Sequence, residues 1–204
     1  MVNKYLLSII VPVWNQEILL DRALRSIPVR DDIEVIIVND ASTDRTLKTA
    51  EAYQRMHRDN VRIITNPVNI GLGLTKNVGY DNARGEYIHQ LDSDDYLITN
   101  QYLRAIKQID GSDMIYLALR TNSCAVWDVT EDNKMYLCGG TLRFIKRSFL
   151  GDHRCPDVRA EEDLALNNEL QQIPHTEKYT HIVCYHYNFP RKGSLCDLKN
   201  RGLI

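Results

Sequence analysis

No apolar run in the sequence approaches the roughly 20 residues that a membrane-spanning helix needs. An integral membrane helix is therefore not expected, and any contact with a bilayer would be peripheral. An excess of one charge is also missing. The 25 Lys and Arg stand against 27 Asp and Glu, a net charge of −2, which implies no general affinity for nucleic acid or anionic lipid. The five cysteines, Cys124, Cys138, Cys155, Cys184 and Cys196, are odd in number, widely spaced and form no CxxC. They read as reduced thiols rather than a zinc site or a disulfide frame. There is no internal repeat and no low-complexity segment. No secretory leader precedes the first strand, so the cytoplasm is the expected compartment. At 204 residues, a single domain over 1–204 is expected.

What is present is alternation. Leu6 to Val13 is a nearly continuous apolar run, suited to a strand buried on both faces of a parallel sheet. Pro12 cannot donate to a ladder, so the strand should end there. Leu20, Ala23, Leu24 and Ile27 then share one helix face, and Pro28 ends that helix. Ile33 to Val38 is a second strand, followed by a polar turn from Asn39 to Asp44 and a helix towards His57. Val61 to Thr65 is a third strand, broken at Asn66-Pro67, with a flexible turn from Asn69 to Gly73 and a short helix through Lys76 and Asn77. A fourth strand, Tyr87 to Leu91, a helix from Asn100 to Ile109 and a strand from Met114 to Ala118 follow.

This order predicts an α/β fold with a mainly parallel, Rossmann-like sheet flanked by helices and right-handed crossovers. In such sheets, ligands bind beyond the carboxyl ends of the strands. Asn15, Asp40, Asn66 and Asp92 all lie just past those ends. Four polar clusters are thus expected to converge on one crevice.

The fourth cluster is the most acidic. Asp92, Asp94 and Asp95 fall within four residues at the end of an apolar strand. Like charges so close disfavour one another's ionised forms, and a divalent cation would relieve them. Carboxylates two apart on a tight turn can aim oxygens at Mg²⁺ or Mn²⁺, which commonly shares its shell with substrate phosphates. The alternative is a solvated acidic turn before the helix near Tyr102.

These stretches resemble the family 2 glycosyltransferases of the GT-A fold. Val11-Pro12-Val13-Trp14-Asn15-Gln16-Glu17 matches the family's Val-Pro-x-Tyr-Asn-x-Glu, with Trp for the usual aromatic. Asp40-Ala41-Ser42-Thr43-Asp44 matches Asp-(Gly/Ala)-Ser-x-Asp. Asn69-Ile70-Gly71-Leu72-Gly73, continuing to Asn77 and Gly79, matches the third motif, and Asp92-Ser93-Asp94 matches Asp-x-Asp. The resemblance covers about residues 5–100. It implies a nucleotide-sugar site at Pro12, Asn15, Glu17, Asp40, Asn69, Gly71, Asn77, Asp92 and Ser93. Asp40 would meet the base, commonly uracil, and Asp94 with Asp92 would hold Mn²⁺ or Mg²⁺.

The second half resembles the family less closely. Residues 1–118 would bind the donor and 119–204, a mixed half opening on a hairpin over 119–137, the acceptor. Cys138 to Leu150 resembles the segment beneath the acceptor, or is a basic amphipathic strand and helix start. Glu162-Asp163 resembles the family's Glu-Asp motif. Asp163 would then be the catalytic base of an inverting enzyme and Glu162 its companion; otherwise both are first-turn acids favoured by the helix dipole. Tyr185-His186-Tyr187 leads to Arg191, Lys192, Gly193 and Ser194, which resemble a loop that closes over the diphosphate. Arg191 and Lys192 would neutralise it, and His186 is a third metal ligand or a structural histidine. Many relatives carry further helices, so this reads as a near-minimal catalytic domain. The implied partners are a nucleotide-sugar donor, expected to be a UDP-sugar, and a carbohydrate or lipid-linked sugar acceptor.

Two rivals remain at this stage. A sugar nucleotidyltransferase would show a Gly-rich, basic loop after the first strand, where this chain has Trp14-Asn15-Gln16-Glu17. A non-catalytic nucleotide- or carbohydrate-binding module could keep the fold alone, but would have no need of Asp40, Asp92, Asp94 and Asp163 together.

Overall fold

Strand β1 (Leu7–Val13) is buried along its whole length, as its unbroken apolar run requires. It lies between β2 (Ile33–Asn39) and β4 (Tyr87–Gln90), parallel to both, and β3 (Val61–Thr65) adds parallel to β2. Helices α1 (Leu19–Ser26), α2 (Thr46–Met56) and α3 (Leu72–Asn82) make the crossovers. This is a computed structural model, and it describes residues 4–135, 139–158, 161–192 and 201. Cys138, Arg159, Ala160, Gly193, Ser194 and Cys196 lie outside them. Among the described residues no helix is long and apolar enough to cross a membrane, and Cys124, Cys155 and Cys184 are free thiols.

Pro12 does not end β1. It pairs with Val38, and the strand runs on to Val13. The ladder between β1 and β4 already stops at Ile10 and Gln90. The missing N–H of Pro12 faces that vacated side, so it costs no ladder bond.

The second half makes the sheet mixed. After β5 (Tyr96–Leu97) and α4 (Thr99–Ile106), β6 (Met114–Thr121) turns into β7 (Val126–Asp128), its antiparallel hairpin partner. The segment after Gly139 becomes β8 (Arg143–Lys146) and α5 (Arg147–Leu150). Strand β8 inserts between β4 and β6, antiparallel to both. Helix α6 (Glu162–Leu170) and β9 (Glu177–Tyr187) complete the described chain. The order across the sheet is β3-β2-β1-β4-β8-β6-β9-β5, with β7 on β6. Burying the branched and aromatic side chains along β1, β2, β4, β6 and β8 supplies most of the driving force, at about 25 cal/mol per Å² of apolar surface.

His89, on β4, packs inside this core. Its ring nitrogens lie 2.6 Å from the Tyr102 hydroxyl and 2.9 Å from the Thr141 carbonyl. Burial pushes it down to about 4, so it stays neutral and structural.

Candidate active site

The loops after β1 and β2 are sewn together. Asn15 takes the left-handed conformation (φ 50°), and its side-chain oxygen accepts from the Thr43 N–H at 2.8 Å. The Glu17 carboxylate accepts from the Arg45 N–H at 2.9 Å, and Asp44 accepts from the Thr46 N–H at 2.9 Å at the start of α2. Asn15 and Glu17 therefore set the shape of the crevice wall. Pro12 is buried just beneath it, while Trp14 is 53% exposed beside it.

Asp40 organises the next wall. Its carboxylate accepts from Asn66 Nδ2 and the Ile70 N–H, each at 2.9 Å, and from the Gly71 N–H at 3.0 Å. These bonds hold the turn carrying Asn69, whose exposed side chain lies beside the Asp40 carbonyl at 3.5 Å. Gly71, at φ 90°, allows the turn to enter α3 in a conformation that a side chain would strain. A carboxylate has about four acceptor sites, so about one remains free on Asp40.

Helix α3 joins this wall to the acidic turn. Asn66 reaches Thr75 Oγ1 at 3.4 Å, and Tyr80 reaches Gln90 Oε1 at 3.4 Å. Gln90 in turn donates to Asp92 Oδ1 at 2.7 Å. Asn77 points elsewhere. Its amide bonds the backbone of Cys155 twice, at 2.8 and 2.9 Å, and so fastens the segment leading to α6. Gly73 lets that segment approach, since a Cβ there would meet the Pro156 carbonyl at 3.0 Å.

The three aspartates of the turn have distinct surroundings. Asp95 is buried and structural: it accepts from Tyr185 Oη at 2.7 Å and from the Asn188 N–H at 2.8 Å. Asp92 is pushed up to about 7 by burial, with Asp94 and Asp163 adding to the rise and Lys76 opposing it. Asp94 is ion-paired to Arg191 at 2.6 Å, and Arg22 donates to its backbone carbonyl at 2.6 Å. Ser93 is buried between them, and Lys192 is exposed.

This donor set suits Mg²⁺ or Mn²⁺ sharing its shell with a diphosphate. Asp92 is half-buried among like charges, a situation that a cation relieves. Among the described residues, no three His, Cys, Asp or Glu side chains cluster as a metal cage. His186 does not join the aspartates. Its ring stacks on Tyr96 at 4.3 Å, whereas the adjacent Tyr185 turns to the acidic turn. Successive strand residues point to opposite faces, which separates the two.

Helix α6 closes the site. Lys76, 1% exposed, sends its ammonium from α3 to Glu162 Oε1 at 2.6 Å and to Asp163 Oδ2 at 2.8 Å. Arg143 of β8 holds the next turn of α6 through Asn167 at 2.6 Å. The second oxygen of Asp163, Oδ1, is buried and has no protein hydrogen-bond partner. The charge of Asp163 also adds to the rise of Asp92. Lys76 is the residue that sequence reasoning misses. Its position three residues after Gly73 puts it on the helix face that packs closest to α6, and that spacing is the signal that could have found it.

The sequence matches the model of the family described as Glycosyl transferase family 2 over residues 8–160. The chain belongs to that family. This family 2 glycosyltransferase is 33% identical over 218 residues to an uncharacterised glycosyltransferase of Haemophilus influenzae, covering 98% of this chain and 84% of that protein. It is 32% identical over 135 residues to the uncharacterised glycosyltransferase EpsJ of Bacillus subtilis, covering 65% of this chain but 37% of EpsJ. Against some relatives, then, the chain spans well under half their length. The crystal structure of Staphylococcus aureus TarS 1–349 in complex with UDP-GlcNAc superposes with a TM-score of 0.80 at 24% identity, over 92% of this chain and 59% of that one. The family 2 glycosyltransferase described here thus has the GT-A fold.

Proposed function

We propose that this glycosyltransferase moves a sugar from a UDP-linked donor to a hydroxyl of a carbohydrate or lipid-linked acceptor, with inversion, in the synthesis of a polysaccharide or glycoconjugate. The observation that carries the reading is the placement of Asp163. One of its oxygens is fixed by Lys76, and the other makes no protein hydrogen bond. A general base needs that arrangement, with its orientation set and one acceptor atom available. Asp163 would take the proton of the acceptor hydroxyl as that oxygen attacks the anomeric carbon. The bond to the diphosphate breaks on the opposite face, and the nucleoside diphosphate leaves with the electron pair.

Asp94 and Asp92 would hold Mg²⁺ or Mn²⁺, which when bound neutralises charge on the leaving diphosphate. Arg191, which is paired with Asp94, and Lys192 would share that task. The walls built by Asn15, Glu17 and Asp40 would receive the nucleoside. TarS, which shares the fold, binds UDP-GlcNAc. The remaining acceptor site of Asp40 suits the N–H edge of uracil.

Calorimetric titration with UDP, GDP and CDP in the presence of Mg²⁺ tests the donor. Tightest binding to UDP, weakened in Asp40→Ala, is expected. Equal affinity for all three, unchanged by the substitution, would remove the uridine assignment.

A further inference from the structure

A second charged feature adjoins the acidic turn and has no part in the reaction above. Arg120 on β6, His186 on β9 and Tyr96 on β5 stand in one cross-strand row: Arg120 pairs with His186, and His186 pairs with Tyr96. The His186 and Tyr96 rings stack at 4.3 Å. Arg22 of α1 lies over the Tyr96 ring, with its guanidinium carbon 4.9 Å from the centroid. Arg120 is exposed and forms no ion pair among the described residues. Nδ1 of His186 is buried without a hydrogen-bond partner. Burial, with the charges of Arg120 and Arg22 adding to it, holds His186 below its usual value.

The balance of charge is uneven here. Arg22 and Arg191 both converge on Asp94, one on its carbonyl and the other on its carboxylate. Asp95 is turned inward to Tyr185. The row therefore presents cations beside an aromatic face, with one acidic side chain to offset them. Exposed cations next to a cleft focus an attractive field on anions, and planar guanidinium groups match phosphate oxygens well.

We propose that Arg120, His186 and Arg22 form a subsite for a phosphate group carried by the acceptor, such as a phosphorylated polyol or sugar. The inference deepens the proposed transfer reaction and rests on it for the identity of the acceptor. The guanidinium groups bind the phosphate oxygens, and the stacked His186 and Tyr96 rings support them. The row joins Arg22 and Tyr96 of the first half to Arg120 and His186 of the second, at the end of β9 that leads to Arg191, so a phosphate held there would place its attached hydroxyls towards the acidic turn.

The test is an NMR titration of the ¹⁵N-labelled chain, saturated with UDP and Mg²⁺, with glycerol 3-phosphate and, as a neutral control, glycerol. Saturable shifts at the amides of Tyr96, Arg120 and His186 with the phosphate alone are expected. Arg120→Ser should weaken that binding at least about fivefold, the loss of one charge-assisted contact, while UDP affinity by calorimetry stays unchanged. No shifts in this row, or equal binding by Arg120→Ser, overturns the subsite. If phosphatidylglycerol vesicles bind through Arg120 and glycerol 3-phosphate does not, the row docks on a bilayer and the acceptor assignment is overturned. Failure to bind UDP would instead count against the donor reading, and the phosphate titration, repeated without UDP, reads the subsite separately.

Discussion

At the scale of single residues, the site divides between groups that hold the crevice and groups left free to react. Asn15, Glu17, Asp40 and Asn77 have most of their hydrogen-bonding capacity committed to backbone atoms of neighbouring loops. Asp163 differs in having an oxygen with no partner. Replacing it with Asn keeps the shape and removes the proton acceptor. Asp163→Asn is expected to lower turnover by about a hundred- to ten-thousand-fold while leaving UDP affinity nearly unchanged. Steady-state rates and calorimetry on the same preparation check this. Normal turnover by Asp163→Asn, with loss in Glu162→Gln, would move the base to Glu162.

At the scale of elements, α6 is held by two buried cations, Lys76 of α3 and Arg143 of β8. Lys76→Met would leave Glu162 and Asp163 facing each other without a counter-charge, and a cost of about 3 to 5 kcal/mol is expected in urea unfolding. A cost below about 1 kcal/mol would mean that other contacts fix the helix. A second junction lies at the start of β9. Glu177 accepts from Lys134 at 2.7 Å, Tyr179 at 2.6 Å and His175 at 2.8 Å. Burial raises its carboxyl, but these bonds outweigh burial and bring it down to about 2. The stabilisation is complete above the ordinary glutamate range and is lost as pH falls towards 2. Solvent screens part of it, leaving about 1 kcal/mol. The cost of Glu177→Gln should therefore be visible in melting curves at pH 7 and fade towards pH 3; a cost that does not change with pH would contradict this. The repeating strand–helix pattern was legible because each apolar run keeps one period. The insertion of β8 was not, because Arg143 to Lys146 is a short, charged segment whose burial depends on distant partners such as Asn167.

At the scale of the whole molecule, a parallel half carrying the crevice walls of Asn15 and Asp40 meets a mixed half through α3 and α6. The motifs up to Asp94 were readable because each follows a strand whose carboxyl end the fold turns to one side. The lysine that joins the halves was not, since its partners lie 86 and 87 residues away. The account's central claim is that the acidic turn and α6 form one metal-assisted transfer site. The most direct measurement is UDP release from UDP-GlcNAc and UDP-glucose by the purified chain, with Mn²⁺ or with excess chelator, for the native protein and Asp94→Ala. The account predicts release from at least one donor with Mn²⁺, little with chelator and little from Asp94→Ala. Release that is unaffected by both chelator and Asp94→Ala would contradict it.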